Sequence, residues 1–304
     1  MKKNVFVLIL LLFILVSCSE NGRNDGDEIN IVCTIFPQYD WTRQIIGEET
    51  GNFNLSLLIS SRVDLHSYSP SIADIAQIKT CDVFIYVGGA SDDWVDDVLS
   101  DANADMITLN LMDILGDLII DDEHDEHDDE HIWLSLKNAD IICEAITEIL
   151  AELDPENAAV YRSNYTAYAA ELTELDAEFL SVVENANTQT LVFADRFPFG
   201  YLARDYGLTY YAAFSGCSAE TEASFVTIIS LANRLNQYNL SVIMVTESSD
   251  RSIAHTVRDN TDTGSQEILV MDSMQSVTAT DVQNGVTYLS VMESNLHVLE
   301  NALR

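Results

Sequence analysis

Basic residues are scarce in this chain. Lysine and arginine number 14 against 50 aspartates and glutamates, which gives a formal net charge of −36 at pH 7. Nucleic-acid binding needs clustered lysine and arginine to neutralise phosphates, so this composition excludes nucleic acid as a partner. The apolar content of 47% is still ample for packed cores, so the acidity does not indicate a disordered chain.

A hydrophobic run long enough to span a membrane is also lacking. The apolar stretch at residues 5–16 is shorter than the roughly 20 residues of a spanning helix, and Lys2 and Lys3 precede it. It leads into "LVSC", so we predict an export signal at residues 1–17 and a lipidated Cys18, as in a bacterial lipobox; an ordinary cleaved signal is the alternative. Residues 18–28 suit a flexible tether. The protein is therefore expected to be extracytoplasmic and lipid-anchored to the cell membrane.

Two motifs of metal chemistry are missing as well. No two cysteines form a C-x-x-C pair, and Cys33 and Cys81 adjoin apolar strand-like runs, which predicts buried thiols rather than a sulfur metal site. No H-E-x-x-H motif occurs, so a helix-borne zinc hydrolase site is not indicated.

What the sequence does have is a repeated alternation of strands and helices. Short runs such as "INIVCTIF", "FNLSLLIS" and "DVFIYVGG" predict strands, and "PSIADIAQIKT" between them predicts a helix capped by Ser69. The second half repeats the pattern with "TLVFAD", "LTYYAAF", "LSVIMVTE" and "QEILVMD". Alternation of this kind is typical of parallel sheets, so we predict two similar α/β lobes, at residues 29–152 and 186–304.

A long uninterrupted helix is predicted between the two lobes. Asp154 can cap it and Pro155 suits its first turn, and no glycine or further proline follows up to Glu184. The alternative is a packing helix of one lobe. Because the flanking units look alike, we interpret residues 153–185 as one rigid connecting helix.

Several polar side chains come directly after predicted strands or loops, where open α/β sheets bind ligands. Two histidines and several carboxylates at such places could form a shell for a divalent metal, since imidazole and carboxylate suit zinc or manganese. Taken singly, each has an ordinary alternative as a surface residue or a helix cap. The polar residues found at these places are His66, His131, Asp195, Arg196, Glu247 and Asp272.

The segment "DDEHDEHDDEHIWLS" contains three histidines in two different settings. His124 and His127 have only acidic neighbours within the loop at residues 121–130, which predicts an auxiliary loop that collects zinc weakly; a merely solvated loop is the alternative. His131 is followed by Ile132 and Trp133, so it is anchored in a packed segment. We therefore separate His131 from the other two as a candidate ligand.

Two motifs resemble those of a known family. "DLHSYSP" is similar to Asp-Pro-His-x-Tyr-Glu-Pro, and "DEHIWL" is similar to Asp-Pro-His-x-Trp-Leu. "CDVFIYVGGASDDWV", "FGYLARDYGL", "ESS" and "DS" extend the similarity, in order, over the mature chain. The chain thus resembles the zinc- and manganese-binding substrate-receptor lipoproteins of bacterial metal ABC importers, the ZnuA/TroA-like family, and its zinc-type members in particular.

The resemblance implies a metal site between the lobes, with His66, His131 and Asp272 as ligands. One departure concerns the third ligand, because Arg196 stands where relatives carry His or Glu, and a guanidinium has no lone pair for a metal. An extra residue in "DRFPFGY" would put Asp195 in that place and leave Arg196 to pair with a carboxylate. Glu247 is a supporting or alternative ligand, or an ordinary helix-start carboxylate.

The function that this resemblance implies is capture of Zn(II) and its delivery to a membrane permease, by a monomer that is not an enzyme. A shell of two imidazoles and carboxylates also accepts Mn(II), whereas the histidine-rich loop favours zinc, and we lean to zinc. A metal-buffering surface adhesin is another alternative. A metallohydrolase is less favoured, because it needs an open coordination position and a general base.

Overall fold

A computed structural model describes residues 28–47, 53–120, 128–216, 218 and 222–304 of the chain. Cys18, His124, His127 and Cys217 lie outside the described residues. Within the described part, no helix is long and apolar enough to cross a membrane. Cys33, Cys81 and Cys143 are buried free thiols, which confirms the prediction for these cysteines.

The first lobe is built on a four-stranded parallel sheet. Its strands are β1 (Ile29–Cys33), β2 (Phe53–Leu57), β3 (Val83–Tyr86) and β4 (Ile107–Asn110), in the order β2-β1-β3-β4. Central β1 and β3 are mostly buried on both faces, which explains their nearly continuous apolar sequence. The helices of this lobe are α1 (Phe36–Ile46), α2 (Ile72–Thr80), α3 (Trp94–Leu99), α4 (Leu111–Leu115) and α5 (Leu136–Leu153).

The long helix α6 spans Ala158–Glu184, about 40 Å at 1.5 Å per residue. The prediction that Asp154 caps it and Pro155 opens it is wrong. Asp154 instead ends α5, and its carboxylate accepts hydrogen bonds from Asn157 and the Tyr161 hydroxyl. These bonds stabilise a turn between the two helices, so α6 begins three residues later than expected.

The second lobe repeats the sheet of the first. Its strands are β5 (Thr190–Phe197), β6 (Thr209–Ser215), β7 (Val242–Thr246) and β8 (Glu267–Met271), again parallel and in the order β6-β5-β7-β8. Its helices are α7 (Gly200–Tyr206), α8 (Phe225–Tyr238), α9 (Ser252–Asp259), α10 (Ala279–Gln283) and α11 (Tyr288–Ala302). The predicted fold class, two α/β lobes with parallel sheets, is confirmed.

The structure differs from the predictions in two local features. Helix α2 is capped by Ser71, not Ser69, because the Ser71 hydroxyl accepts from Asp74 N and the Asp74 carboxylate accepts from Ser71 N. Strand β4 was not predicted, since "ITLN" is short and half polar. Neither difference moves the strand ends that carry the polar residues.

The two lobes share buried side chains and hydrogen bonds. Trp133 of the first lobe donates its indole N–H to the carbonyl of Ser273 at 2.9 Å. Tyr288 of the second lobe donates its hydroxyl to the carbonyl of Trp133 at 2.7 Å, and both rings are fully buried. The lobes therefore meet beside residue 131, and this contact fixes where a site between them can form.

Candidate metal centre

His66 and His131 occupy short turns that are held in place locally. His66 lies in a one-turn 3-10 helix (Leu65–Ser67), and the Asp64 carboxylate caps this turn by accepting from His66 N at 3.0 Å. His131 precedes a second such turn (Ile132–Leu134), whose three apolar side chains are all buried. The apolar anchoring expected from "HIWL" is therefore present, and the His131 side chain is itself 0% exposed.

The two imidazoles face each other through their Nε2 atoms, which lie 3.2 Å apart. A tetrahedral zinc with Zn–N bonds of about 2.0–2.1 Å holds two ligand nitrogens about 3.3–3.4 Å apart. A hydrogen bond between two nitrogens has about the same length. The observed separation therefore suits either a shared proton or a shared metal ion. The pair is thus close to the geometry that zinc requires.

Asp129 orients His131. Its Oδ1 lies 2.8 Å from His131 Nδ1 and also accepts from His131 N at 2.9 Å. A carboxylate only accepts, so Nδ1 carries the proton and the Nε2 lone pair points at His66. The second lobe supports this arrangement, because the Tyr201 hydroxyl donates to the carbonyl of Asp129 at 2.7 Å.

Ser91 and Glu130 perform the same task for His66. The Ser91 hydroxyl lies 2.7 Å from His66 Nδ1, and Ser91 N donates to Glu130 Oε1 at 2.8 Å. Glu130 is 1% exposed, and its Oε2 lies 3.6 Å from His66 Nδ1. A proton on Nδ1 would be donated to the Ser91 hydroxyl and leave Nε2 to a metal, which is the usual support of a metal-binding histidine. Glu130 Oε2 is too far for a hydrogen bond and adds only its negative charge.

Burial keeps His66 uncharged at neutral pH. Loss of solvent, followed by the charge of neighbouring His131, lowers the pKa of His66 to about 4. Metal ligands must be deprotonated, so a histidine with a lowered pKa is available to zinc over a wide pH range. Burial has the opposite effect on the carboxyl group of nearby Asp92, whose pKa it raises to about 7.

Two glycines allow the second lobe to approach this pair. A Cβ on Gly216 would lie 3.2 Å from the His131 ring and 2.9 Å from the carbonyl of Phe197. A Cβ on Gly200 would lie 2.5 Å from Asp129 Oδ2, closer than real Cβ atoms come. Side chains at these positions would push against the site, so both glycines are required by close approach.

Asp195 and Arg196 lie in β5, next to a register shift between Phe193 and Arg196. Asp195 Oδ2 accepts from Thr246 N at 3.1 Å and from the Thr246 hydroxyl at 2.8 Å, and its Oδ1 accepts from Arg196 N. The Arg196 guanidinium reaches the first lobe, where it pairs with Asp64 at 2.9 Å. The expected pairing of Arg196 with a carboxylate is present, and its partner caps the His66 turn.

Asp272 and Glu247 follow β8 and β7 and lie near each other. Asp272 Oδ1 accepts from Met274 N at 2.7 Å, and burial, followed by the charge of Glu247, raises the pKa of Asp272 to about 6. Glu247 accepts from Ser273 through both oxygens, from N and from the hydroxyl, each at 2.9 Å. These carboxylates hold the loops of the second lobe.

The structure therefore brings His66 and His131 together and leaves the predicted carboxylates apart from them. Among the described residues, no three His, Cys, Asp or Glu side chains are arranged to hold a metal ion. Gln275, which was not among the residues predicted, also approaches the pair, and its Nε2 lies 3.3 Å from His131 Nε2. The only signal for Gln275 was its place in the loop after β8, three residues beyond Asp272.

Comparisons with known proteins identify the family of the chain. The family model described as "Zinc-uptake complex component A periplasmic" matches residues 31–302. The zinc-binding lipoprotein AdcA of Streptococcus pneumoniae is 29% identical over 315 residues, which cover 99% of this chain and 61% of AdcA. The high-affinity zinc uptake system protein ZnuA of Bacillus subtilis is 26% identical over 98% of this chain and 97% of its own length. The chain thus spans about 61% of the length of AdcA and nearly all of the Bacillus protein.

Solved structures show the same fold. The Zn(II)-bound ZnuA-like domain of Streptococcus pneumoniae AdcA superposes with a TM-score of 0.75 and 28% identity, covering 91% of this chain and 99% of that domain. The metal-dependent lipoprotein YcdH from Bacillus subtilis superposes with a TM-score of 0.77 and 26% identity over the same shares.

Proposed function

The chain belongs to the family of zinc-uptake complex component A, and on that premise we propose that it is an extracytoplasmic receptor. It captures Zn(II) and delivers it to the membrane permease of an ABC importer. The observation that carries this proposal is the pair of imidazole Nε2 atoms 3.2 Å apart, each backed by an acidic residue. The lipid anchor at Cys18, the monomeric state and the domain limits given above are parts of the same proposal.

Zinc is the proposed cargo rather than manganese. Two neutral imidazoles at tetrahedral spacing favour the later divalent metals, whereas Mn(II) prefers a shell dominated by oxygen. The name of the family also refers to zinc. Mn(II) is the alternative cargo, and it should bind more weakly to the same two histidines.

We propose Asp272 as the carboxylate ligand that joins His66 and His131. Only its Oδ1 accepts a hydrogen bond from a described residue, and its pKa is raised by burial, so a cation nearby would stabilise its charged form. Asp195 is the second choice, because three hydrogen bonds engage its two oxygens. Either side chain must move toward the histidines when the metal enters.

Binding without chemical turnover is the proposed activity. A metallohydrolase needs a carboxylate to take a proton from metal-bound water. Glu247, the candidate for that task, has both oxygens engaged by Ser273. This supports a receptor over an enzyme.

Metal analysis after dialysis tests the proposal. The mature protein should retain one zinc per chain, and His66→Ala and His131→Ala should each lose it. His297→Ala, which removes an exposed histidine of α11, is the matched control and should retain the metal. Retention of a full equivalent by both site variants would refute the proposed site.

A further inference from the structure

Beside the histidine pair, between the lobes, lies a cavity of about 90 Å³. It reaches the pair through Gly216 and Gln275, which both approach the His131 ring. Its lining includes Arg62 and Arg196, two of only 14 basic residues in the chain. In so acidic a protein, two arginines beside a proposed cation site require an explanation, because each raises the cost of placing zinc there.

The cavity is lined by two arginines, two carboxylates and several hydroxyl groups. The ion pair with Asp64 is formed by one nitrogen of the Arg196 guanidinium, which carries five N–H donors. Arg62 is exposed, and its positive charge helps to lower the pKa of Asp281; no described residue forms a hydrogen bond with it. The two carboxylates already have partners, since Asp64 binds Arg196 and caps the His66 turn, and Glu247 accepts from Ser273. Gln275 Oε1 is a buried acceptor without a partner among the described residues. The hydroxyls of Ser248 and Ser276 line the same space.

The cavity is also the right size for a small anion. A cavity needs roughly 10–15 Å³ of such volume to hold one water, so 90 Å³ has room for several waters. A planar oxyanion such as bicarbonate or acetate fits in that space. Guanidinium forks match the oxygens of such an anion, because they donate parallel N–H bonds.

We propose that the receptor binds zinc together with a small carboxylate-type oxyanion. His66 and His131 hold the metal, the anion supplies an oxygen ligand, and Arg62 and Arg196 hold the anion. The anion takes the coordination place that Arg196 cannot fill itself, since a guanidinium has no lone pair. This inference rests on the proposed zinc-binding function and names the species that the site captures.

Zinc affinity measured by chelator competition, with and without bicarbonate, tests the inference. In carbonate-free, non-coordinating buffer the parent should bind zinc about tenfold more weakly than with millimolar bicarbonate, comparable to the loss of a supporting group. Acetate should substitute for bicarbonate. Arg62→Gln and Arg196→Gln should remove this anion dependence, and Arg162→Gln, an exposed arginine of α6, should keep it.

The variants separate two tasks of the arginines. Arg196→Gln also breaks the ion pair with Asp64, so it should weaken zinc binding even without an anion. Arg62→Gln breaks no such pair and removes a positive charge near the metal, so without an anion it should bind zinc at least as tightly as the parent. The bound anion is observed directly by carbon NMR of labelled bicarbonate, which should show a protein-bound signal only when zinc is present and Arg62 is intact.

The outcomes also separate this inference from the proposed function. If the parent binds zinc equally tightly with and without bicarbonate or acetate, the anion site is refuted and the zinc receptor stands. An anion effect that persists in both arginine variants equally refutes the site. If no zinc binds under any condition, the proposed function itself fails.

Discussion

The first lobe brings two imidazoles within 3.2 Å of each other, whereas the second lobe holds its carboxylates in hydrogen bonds of their own. His66 and His131 are backed by Ser91, Asp129 and Glu130, all from the first lobe. Asp195 is tied to Thr246, and Asp272 to Met274. In the proposed site, the two nitrogen ligands would therefore be in place before the metal arrives, and the oxygen ligands would move in with it.

Removing the support of His131 should give the largest effect among the predictions that follow. Asp129→Ala leaves Nδ1 without its acceptor, so the ring loses its fixed tautomer, and we expect zinc affinity to fall about 10–100-fold. Chelator competition measures the change. Asp128→Ala, which removes the exposed neighbouring acid, is the control and should bind zinc as the parent does.

Gly200→Ala tests the same support from the other side. Its added methyl would lie 2.5 Å from Asp129 Oδ2 and must displace that carboxylate, so zinc affinity should fall toward the value of Asp129→Ala. Gly264→Ala is the control, because its added methyl meets no neighbouring atom. Its positive φ strains the backbone locally and should not change zinc binding. Unchanged zinc binding in Gly200→Ala would show that the position of Asp129 does not matter.

Asp272→Asn should have a smaller effect that depends on pH. The raised pKa of Asp272, about 6, means that it takes up a proton below that pH, and the parent should therefore lose zinc affinity by about tenfold per pH unit below 6 through this group. The His66 pKa of about 4 adds no such loss until lower pH. Asp272→Asn should bind less tightly at pH 7 and lack this part of the pH dependence.

Identical pH profiles for the parent and Asp272→Asn would contradict a ligand role for this residue. The same titration carried out on Asp195→Ala decides between the two carboxylates. If only Asp195→Ala changes zinc affinity, the oxygen ligand lies on β5 rather than after β8.

Tyr288→Phe tests whether the lobes are joined independently of the metal. The variant loses the hydroxyl that donates to the carbonyl of Trp133, so the free energy of unfolding should fall by about 1 kcal/mol. Urea denaturation of the zinc-free protein measures this loss. Zinc affinity should stay close to that of the parent, because His131 keeps Asp129. A tenfold loss of zinc affinity would mean that this contact positions the histidine.

The smallest effect is expected in the acidic segment. His124→Ala combined with His127→Ala should leave the tightly bound zinc equivalent unchanged and remove only weak additional binding. Titration beyond one equivalent measures the weak binding. Loss of the tight equivalent would favour the metal-buffer alternative.

The lobes and the histidine pair could be predicted from the sequence because both depend on local patterns. Apolar strand-like runs predicted β1 and β3, and the apolar "IWL" after His131, which is buried in the structure, distinguished this histidine from His124. The predicted start of α6 was wrong, because Asp154 can either cap a new helix or end the previous one. Its hydrogen-bond partners, Asn157 and Tyr161, decide between the two.

The supporting residues could not be predicted in the same way. Asp129 and Glu130 looked like part of one solvated acidic loop, yet they are 8% and 1% exposed and face the two histidines. Their position directly before an anchored histidine was the available signal. The bonds of Asp195 to Thr246 and of Arg196 to Asp64 join distant parts of the chain, so no local pattern reveals them.

X-ray absorption at the zinc edge of the loaded protein tests the central claim most directly, because it counts the imidazoles on the metal. We predict two imidazole nitrogens at about 2.0–2.1 Å with oxygen atoms completing the shell, and one imidazole in His131→Ala loaded at high zinc. A shell without imidazole, or one unchanged in His131→Ala, would contradict the claim that the first lobe holds the metal.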